Sequence, residues 1–312
     1  MKLSIPSLRI CHHIVSSRAP RSYQFRALTM SASNGQPPDP KKAIPKGKTE
    51  VKILMLHGYT QSGPLFSSKT KALSKLLIKA LSPAPLNLHP TLIFPTGPHR
   101  LRPSDIPGYT PSSNPDADED EDEEESDSWA WFRKDEATGA YRGLEAGMHA
   151  IAAAISSAGG VDGVVGFSQG GATAALVASA LEQQRQPPTT GPSPSTAGEP
   201  ADWSWVETLR SANSHRPLKF CVVYSGFYAP VDGLSWLYEP AIGTPTLHFL
   251  GSLDTVVEES RSQGLIDRCR DPTVVVHPGG HYVPVAKDWA MALAGWLRQR
   301  YEDGGAANKE SL

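Results

Sequence analysis

The chain of 312 residues is long enough for one large α/β domain or two small domains. Its 30 Lys and Arg residues nearly balance its 32 Asp and Glu residues, which argues against a nucleic-acid-binding protein with a basic face. Three cysteines cannot form a disulfide framework, and the sequence contains neither a zinc-ligand spacing nor an apolar run of transmembrane length. We therefore expect a protein of a reducing compartment, without a nucleic-acid partner, and assign it to the cytoplasm.

The N-terminal part differs in composition from the rest of the chain. Met1–Pro38 has five basic residues, many serines and no acidic residue, which is typical of a transit peptide, although a disordered extension has the same composition. Mitochondrial targeting is therefore the alternative to the cytoplasm. A Pro- and Lys-rich linker follows, so residues 1–49 are predicted to be a disordered or targeting extension, and the folded domain is predicted to begin at residue 50.

Short apolar runs alternate with stretches of helical periodicity along the folded part of the chain. Runs that are apolar on both faces and separated by helices predict a mostly parallel sheet with helices on both faces. The predicted strands are Val51–Leu56, Thr91–Phe94, a run around Val164 and Val165, Phe220–Tyr224, Thr246–Leu250 and Thr273–His277. The predicted helices are Leu65–Leu81, Gly139–Ser157, Ala172–Leu181, Val256–Arg270 and Lys287–Tyr301.

Two loop insertions are predicted within a single domain of residues 50–302. The first covers about 99–128 and contains Asp116–Asp127, in which nearly every residue is Asp or Glu. Such a charge run repels itself and predicts a disordered loop. The second insertion, 186–201, is rich in Pro, Ser, Thr and Gly and predicts a surface loop. The polar residues 303–312 predict a disordered tail.

The chemistry is centred on Val161–Gly171, where a short apolar run leads into Gly166–Gly170 (GFSQG) and then into a helix-forming stretch. Strand, G-x-S-x-G and helix in this order predict a nucleophile elbow, in which a strained turn exposes a serine hydroxyl above the sheet. The glycines let strand and helix approach closely, and the N-terminus of the helix favours negative charge. Ser168 is therefore the candidate nucleophile, and the alternative is a serine without function in a glycine-rich turn.

A serine hydroxyl needs a base, and the base needs a carboxylate that sets its tautomer. Asp254 and His281 follow predicted strands, at the edge where parallel sheets bind ligands, and the order Ser, Asp, His is that of an α/β-hydrolase. We prefer His281 to His277, because His281 follows two glycines on a loop whereas His277 ends a strand. His57 and His248 are predicted to be structural. Asp254 is preferred as the acid to Glu258, Glu259 and Asp267, which lie further into the following helix. A helix N-cap at Asp254 would look the same in the sequence.

Two backbone N–H groups are needed to stabilise the oxyanion of an acyl-transfer reaction. Gln169 follows the nucleophile, and Tyr59 follows Gly58 in the loop after the first strand, so these two residues are the predicted donors. Aromatic residues near the elbow and the first insertion are candidates for the substrate pocket, although the segment 129–132 fits a satellite core cluster equally well. The pocket candidates are Tyr59, Phe167, Trp129, Trp131, Phe132 and Phe227.

Several ordered motifs resemble the fungal serine hydrolase family of the α/β-hydrolase superfamily, which has a human relative in the ovarian cancer-associated gene 2 serine hydrolase. They are Leu56–Gly63 (LHGYTQSG), Gly163–Gly170 (GVVGFSQG), Tyr224–Phe227 (YSGF), Gly251–Asp254 (GSLD) and Gly279–His281 (GGH). The resemblance spans about residues 51–296 and implies an α/β-hydrolase fold with Ser168, Asp254 and His281 as its triad. Family members are esterases or thioesterases: some cleave fatty acyl esters, and some fungal members release polyketide acyl chains from carrier proteins.

These observations predict a serine hydrolase that cleaves a carboxylic ester or an acyl thioester through an acyl-enzyme, without a metal or organic cofactor. Its expected partner is a small-molecule acyl ester or thioester, with an acyl carrier protein as a candidate donor. The alternatives are an acyltransferase that uses the same triad and a non-catalytic binding protein with the hydrolase fold. The sequence leaves open the leaving atom (oxygen or sulfur), the acyl length and the oligomeric state.

Overall fold

The architecture follows from the alternation of buried strands and helices. The computed structural model describes residues 44–106, 127–196, 199–231 and 233–310, with the backbone alone for 303–310. The predicted N-terminal extension up to residue 43 and the acidic run up to residue 126 lie outside the described residues, so these remain predictions. The described residues belong to one compact unit, Pro37–Leu312. None of their helices is long and apolar enough to cross a membrane.

Six of the strands in the described residues form one sheet. The strands are β1 (Thr49–Leu56), β2 (Leu88–Ile93), β3 (His99–Arg100), β4 (Trp129–Ala130), β5 (Arg133–Lys134), β6 (Tyr141–Arg142), β7 (Gly163–Phe167), β8 (Phe220–Tyr224), β9 (Thr246–Gly251) and β10 (Thr273–His277). The main sheet has the order β10-β9-β8-β7-β1-β2, and all of its pairs are parallel. This confirms the predicted parallel sheet and places the carboxyl ends of all six strands at one edge.

Helices cover both faces of this sheet. They are α1 (Gly63–Lys69), α2 (Lys71–Leu81), α3 (Leu144–Ser157), α4 (Gln169–Ala180), α5 (Ser204–Ala212), α6 (Glu259–Ile266) and α7 (Lys287–Glu310). Successive side chains of a strand point to opposite faces. In β1, Leu54 packs into the core with α3, α4 and α5, whereas Ile53 and Met55 pack into the core with α1, α2 and α7. Every residue of α4 is buried, so this helix occupies the centre of its layer.

The structure corrects the predicted boundaries of two early helices. The helix predicted over Leu65–Leu81 is divided into α1 and α2, because Thr70 adopts φ −101° and ψ 9°, outside the helical range. The helix predicted from Gly139 begins only at Leu144. The reason is Gly143, which adopts a left-handed conformation (φ 77°) and separates the short strand β6 from α3.

The later helices also differ from the prediction. α6 covers only part of Val256–Arg270, because the Asp254 carboxylate accepts backbone N–H groups and holds a turn before the helix. α7 continues past Tyr301 to Glu310, so the tail predicted from residue 303 is helical over that range. α5 was absent from the prediction because it directly follows the Pro- and Ser-rich insertion.

Short strands and a buried serine anchor the two insertions. At the first insertion, β3 pairs with β4 and β5 pairs with β6, both in antiparallel register. The second insertion, predicted as a surface loop, is partly buried. Its Ser195 is buried and donates a hydrogen bond to the carbonyl of Tyr141 in β6 at 3.0 Å. This contact ties the second insertion to β6.

Candidate active site

The turn between β7 and α4 carries Ser168. This residue adopts φ 53° and ψ −118°, a strained conformation for a residue with a Cβ, and its N–H donates to the carbonyl of Tyr224 at 2.8 Å. A Cβ at Gly166 would overlap the carbonyl of Gly170, and a Cβ at Gly170 would overlap the carbonyl of Leu56. The two glycines therefore permit the close approach of strand and helix, as the predicted nucleophile elbow requires.

Ser168, His281 and Asp254 form one continuous chain of hydrogen bonds. His281 Nε2 lies 2.9 Å from Ser168 Oγ, and His281 Nδ1 lies 2.8 Å from Asp254 Oδ2. The serine and the histidine are 113 residues apart in the sequence. They meet because Ser168 follows β7, Asp254 follows β9 and His281 follows β10, all at the carboxyl edge of the sheet. The structure thus brings together the three side chains that the sequence singled out.

The surroundings of Asp254 keep its carboxyl group ionised. Oδ1 accepts the backbone N–H groups of Val256 at 2.9 Å and Val257 at 3.0 Å. Burial by itself raises the pKa of Asp254, but the hydrogen bonds from these N–H groups and from His281 outweigh it, so the pKa lies below its ordinary value. An ionised Asp254 accepts a hydrogen bond from Nδ1–H of His281. Nε2 is then free to accept the hydroxyl hydrogen of Ser168.

The alternatives considered for the base and the acid do not match the geometry. The ring of His277 lies against Tyr282 at 5.3 Å and Trp289 at 5.9 Å between ring centres. Burial lowers the pKa of His277 even though the charge of Asp254 opposes this shift. The helix-cap role for Asp254 is also wrong, since the N-cap residue of α6 is Glu258.

Two further histidines are buried and neutral. His248 in β9 is buried, and burial lowers its pKa to about 4. His57 is buried just after β1, where Nδ1 lies 2.8 Å from the carbonyl of Gly58 and Nε2 accepts the N–H of Gly97 at 2.9 Å. Burial lowers the pKa of His57 to about 4 as well. Neither ring lies in the hydrogen-bond chain of Ser168.

The two predicted oxyanion donors lie in neighbouring loops. Gln169 is the first residue of α4, a position at which a backbone N–H has no partner within the helix. Tyr59 lies in the loop after β1, which is the strand next to β7. A Cβ at Gly58 would lie 2.9 Å from the ring of Phe167, so the glycine lets this loop pack directly against the elbow strand.

Two of the six pocket candidates belong to the large core cluster that contains α3 and α4. Trp131 and Phe132 are buried, and the Trp131 indole N–H donates to the carbonyl of His57 at 2.9 Å. The ring of Phe132 stacks on Tyr141 at 4.2 Å between ring centres. These side chains leave no surface for a substrate, because their segment passes beneath the loop that follows β1. Neither the pocket wall nor the satellite cluster expected from the sequence describes them, because both side chains pack into the large core cluster with α3 and α4.

The other four pocket candidates lie nearer the surface or the triad. The ring of Phe167 lies 4.9 Å from the ring of His281, so this residue forms the floor beside the base. Tyr59 is partly buried, and its hydroxyl donates to the carbonyl of Asp105 at 3.1 Å, which ties the side chain to the first insertion. Trp129 is partly exposed. The fourth candidate, Phe227, is buried in a small cluster with Ala172 and Val257.

The side chain of Gln169 has a role that was not predicted from the sequence. Its Oε1 accepts the backbone N–H of Trp131 at 2.8 Å, and its Nε2 donates to the carbonyl of Phe132 at 2.8 Å. A glutamine at the start of an otherwise apolar helix was the available signal, because a buried amide must find partners for both of its polar groups. Among the described residues, no group of three or more His, Cys, Asp or Glu side chains is placed to hold a metal ion.

Residues 47–293 match the family model described as Serine hydrolase (FSH1). The chain belongs to the FSH1 serine hydrolase family. This result confirms the predicted family and establishes the protein as a serine hydrolase. Together with the parallel sheet and the elbow, it also confirms the predicted α/β-hydrolase fold.

FSH1 relatives occur in fungi and animals. The chain is 30% identical over 250 residues to Family of serine hydrolases 2 from Saccharomyces cerevisiae, covering 79% of this chain and 97% of that protein. It is 29% identical over 258 residues to Esterase OVCA2 from Danio rerio, covering 80% and 97%. It is also 31% identical over 238 residues to a Schizosaccharomyces pombe protein named Dihydrofolate reductase, covering 75% of this chain and 44% of that protein. The chain therefore spans less than half the length of this last relative.

Proposed function

We propose that the protein hydrolyses carboxylic esters or acyl thioesters through an acyl-enzyme formed on Ser168. The observation that carries this proposal is the continuous hydrogen-bonded chain from Asp254 through His281 to Ser168 at the strained turn. Membership of the FSH1 family supports hydrolysis by a serine, and the relative named Esterase OVCA2 supports an ester as the substrate.

Acylation begins when Ser168 Oγ attacks the substrate carbonyl while His281 Nε2 takes the hydroxyl proton. The ionised Asp254 stabilises the imidazolium that forms. The backbone N–H groups of Tyr59 and Gln169 stabilise the negative charge on the former carbonyl oxygen. His281 then protonates the leaving oxygen or sulfur, the C–O or C–S bond breaks, and the acyl group stays on Ser168.

Water completes the cycle at an open site. The side chain of His281 is 15% exposed, so the base borders the solvent from which the hydrolytic water comes. His281 removes a proton from this water, whose oxygen attacks the acyl carbonyl and displaces Ser168, which takes the proton back. Access of water favours hydrolysis over the alternative of acyl transfer. Product analysis with added alcohols and amines tests this preference.

Exposed apolar side chains next to the acid and the base support an apolar acyl group as the substrate. Leu253 is 68% exposed and Val256 is 63% exposed, and both lie within two residues of Asp254. Tyr282, which follows His281, is 52% exposed. Large exposed apolar side chains at the mouth of a site indicate a surface that binds apolar groups. An acyl carrier protein stays a candidate donor of such an acyl group.

The nucleophile is tested with Ser168→Ala. We expect this variant to fold, to lose turnover of p-nitrophenyl acyl esters and to lose labelling by a fluorophosphonate probe. Ser225→Ala is the matched control, because Ser225 has a similar strained backbone (φ 45°) at the end of β8 but lies outside the hydrogen-bond chain. The control should label and turn over like the wild type. Labelling of Ser168→Ala at another serine would contradict the proposal.

The substrate class is tested with matched esters and acyl thioesters of increasing chain length, compared by kcat/KM. If the exposed apolar side chains bind the acyl group, kcat/KM should rise with chain length before it levels off. Replacing Leu253 by Ser should weaken this dependence. A flat profile, or no turnover of any member of either series, would contradict the proposed substrate class.

For the compartment, we propose the cytoplasm. Cys221 and Cys269 are free and buried, which is consistent with a reducing compartment. The mitochondrial alternative is supported only by the basic, acid-free composition of Met1–Pro38. Determining the N-terminus of the mature protein distinguishes the two, since import into mitochondria would remove this segment.

A further inference from the structure

The peptide unit between Gly58 and Tyr59 carries one of the two proposed oxyanion donors. Its carbonyl, on Gly58, lies 2.8 Å from His57 Nδ1 and accepts the Gln61 N–H at 3.2 Å. In a trans peptide the C=O and N–H bonds point in opposite directions. The two partners of the Gly58 carbonyl therefore set the direction of the Tyr59 N–H.

The imidazole of His57 donates to that carbonyl because its other nitrogen is already an acceptor. Nε2 accepts the backbone N–H of Gly97 at 2.9 Å, and a backbone N–H can only donate. The neutral ring therefore carries its hydrogen on Nδ1 and directs it to Gly58. Burial lowers the pKa of His57 to about 4, against the raising effects of the Gly58 carbonyl and the Asp127 charge, so this tautomer persists at neutral pH.

Trp131 connects this loop to the elbow. Its indole N–H donates to the carbonyl of His57 at 2.9 Å, and the two rings lie 4.8 Å apart between centres. Its backbone N–H donates to Gln169 Oε1 at 2.8 Å. Since the backbone of Gln169 carries the second proposed donor, Trp131 contacts both halves of the oxyanion hole from the buried side.

Close backbone packing keeps the segment around Trp131 in place. A Cβ at Gly147 in α3 would overlap the carbonyl of Trp131, and a Cβ at Gly97 would lie 2.5 Å from the carbonyl of Ala130. Contacts of this kind leave no room for the segment to shift. The side chains of His57 and Trp131 have no exposed surface, so neither residue can touch a substrate.

We infer that His57 and Trp131 are positioning residues for the oxyanion hole. The imidazole sets the direction of the Tyr59 N–H, and Trp131 fixes the position of the loop that carries Tyr59 relative to Gln169. We call His57, Trp131 and the Gln169 side chain the oxyanion brace. The inference rests on the proposed function, because it concerns the same site, and it explains why a buried tryptophan and a neutral histidine lie directly behind the two donors.

The first test is Trp131→Phe, which keeps an aromatic ring in the core and removes the indole N–H that holds the His57 carbonyl. We expect kcat to fall about 10- to 100-fold while KM changes less than about threefold, because oxyanion stabilisation acts on the transition state. Affinity for a trifluoromethyl ketone, which forms a tetrahedral oxyanion adduct on Ser168, should fall by the same factor as kcat/KM.

Trp296→Phe is the matched control for this variant. Trp296 is also buried, and its indole N–H donates to Thr273 Oγ1 at 3.0 Å. Thr273 begins β10, so this hydrogen bond lies at the opposite edge of the sheet from Ser168. The control should keep kcat within about twofold of the wild type. Equal kcat in the two variants, or a loss confined to KM, would overturn the inference.

A pair of variants at His57 separates the two hydrogen bonds of the imidazole. His57→Asn places an amide N–H near the position of Nδ1 and retains the donor to Gly58, whereas His57→Gln places a carbonyl near Nε2 and retains the acceptor for Gly97. Each variant loses the ring and one hydrogen bond, so a purely structural role predicts equal losses of kcat. We expect the Asn variant to stay within about fivefold of the wild type and the Gln variant to lose about 30-fold or more. Equal losses or the reverse order would contradict the inference.

Failure of the inference is distinguishable from failure of the proposed function. If the wild type neither turns over esters or thioesters nor reacts with a fluorophosphonate at Ser168, the proposed function fails. If the wild type is active, Ser168→Ala is inactive and the brace variants keep full kcat, only the positioning role fails. Circular dichroism of each variant verifies that kcat is measured on folded protein. If Trp131→Phe does not fold, the pair at His57 decides.

Discussion

The loops at the carboxyl edge of the sheet divide into an open side and a braced side. On the open side, Asp254 and His281 lie on loops whose neighbouring residues Leu253 and Tyr282 are 68% and 52% exposed. On the other side, every member of the oxyanion brace is 6% exposed or less and is hydrogen-bonded to another loop. The loops that carry the acid and the base thus face solvent, although the side chains of Asp254 and His281 are themselves only 7% and 15% exposed, while the proposed oxyanion donors are supported from the core.

This difference matches the physical demands of the two halves. A base that takes a proton from Ser168 and later from water needs access to solvent. Oxyanion donors stabilise the transition state only if they already point at the developing charge, so that no reorganisation is needed during the reaction. Dense packing on one side and openness on the other therefore serve the same reaction.

The largest effect is expected on the open side, from His281→Ala. Without a base for Ser168, the kcat of the enzyme should fall about 10⁴-fold or more while the protein stays folded. His277→Gln serves as the comparison, because His277 is the neighbouring histidine outside the chain and should cost less than about tenfold. If kcat falls further in the His277 variant than in the His281 variant, the assignment of His281 as the base is wrong.

Asp254→Asn should follow with a loss of about 10³- to 10⁴-fold in kcat, because an amide cannot hold the tautomer of His281 that leaves Nε2 free. Asp267, in the neighbouring segment, provides the control. It is exposed, and its carboxylate accepts a hydrogen bond from the side chain of Gln263 and not from His281. Asp267→Asn should leave kcat within about twofold. Comparable losses in both variants would remove Asp254 from the triad.

A pair of glycine variants tests the packing difference directly. A Cβ at Gly170 would overlap the backbone carbonyls of Leu56 and His57, so Gly170→Ala should lower the free energy of unfolding by about 3 kcal/mol or more. On the open side, the nearest atom to a Cβ at Gly280 is the carbonyl of Leu253 at 3.3 Å, and Gly280→Ala should cost less than about 1 kcal/mol. Urea unfolding measures the change in the free energy of unfolding for both variants. Equal losses of stability would contradict the division into an open side and a braced side.

The smallest effect is expected from a buried histidine away from the site. The pKa of His248 is about 4 in the folded protein and 6.5 in the unfolded chain, so the unfolded chain binds more protons between these values. The stability that the buried, neutral His248 contributes is complete above pH 6.5 and is lost as the pH falls toward 4. The loss in the free energy of unfolding reaches about 3 kcal/mol. His248→Leu should therefore unfold less readily in acid than the wild type.

Chemical unfolding at pH 7.5 and pH 4.5 checks this prediction, with kcat at pH 7.5 expected to stay within about twofold of the wild type. His57 provides the contrast, because its pKa is also about 4 but it belongs to the oxyanion brace. A variant at His57 should change both acid stability and kcat. If His248→Leu shows the same loss of stability in acid as the wild type, burial of His248 is not the cause of the pH dependence.

Most of the sheet and the order of the triad were predictable because they depend on local patterns. The alternation of apolar runs and helical periodicity marked all six strands of the main sheet, and the glycines around Ser168 marked the turn at which strand and helix pack backbone against backbone. Helix boundaries were less predictable. Thr70 and Gly143 end regular structure through backbone angles that the helical spacing of their neighbours does not reveal.

Local patterns in the sequence were enough to place the strand, turn and helix at Ser168 and to place Asp254 and His281 at strand ends, since these features arise within a few residues. The folded chain was needed to show that Trp131 is a core residue behind the site and not a pocket wall. Its indole meets the carbonyl of His57 across 74 residues of sequence. Burial and hydrogen-bond partners at such separations depend on how whole layers pack, and a local pattern carries no information about them.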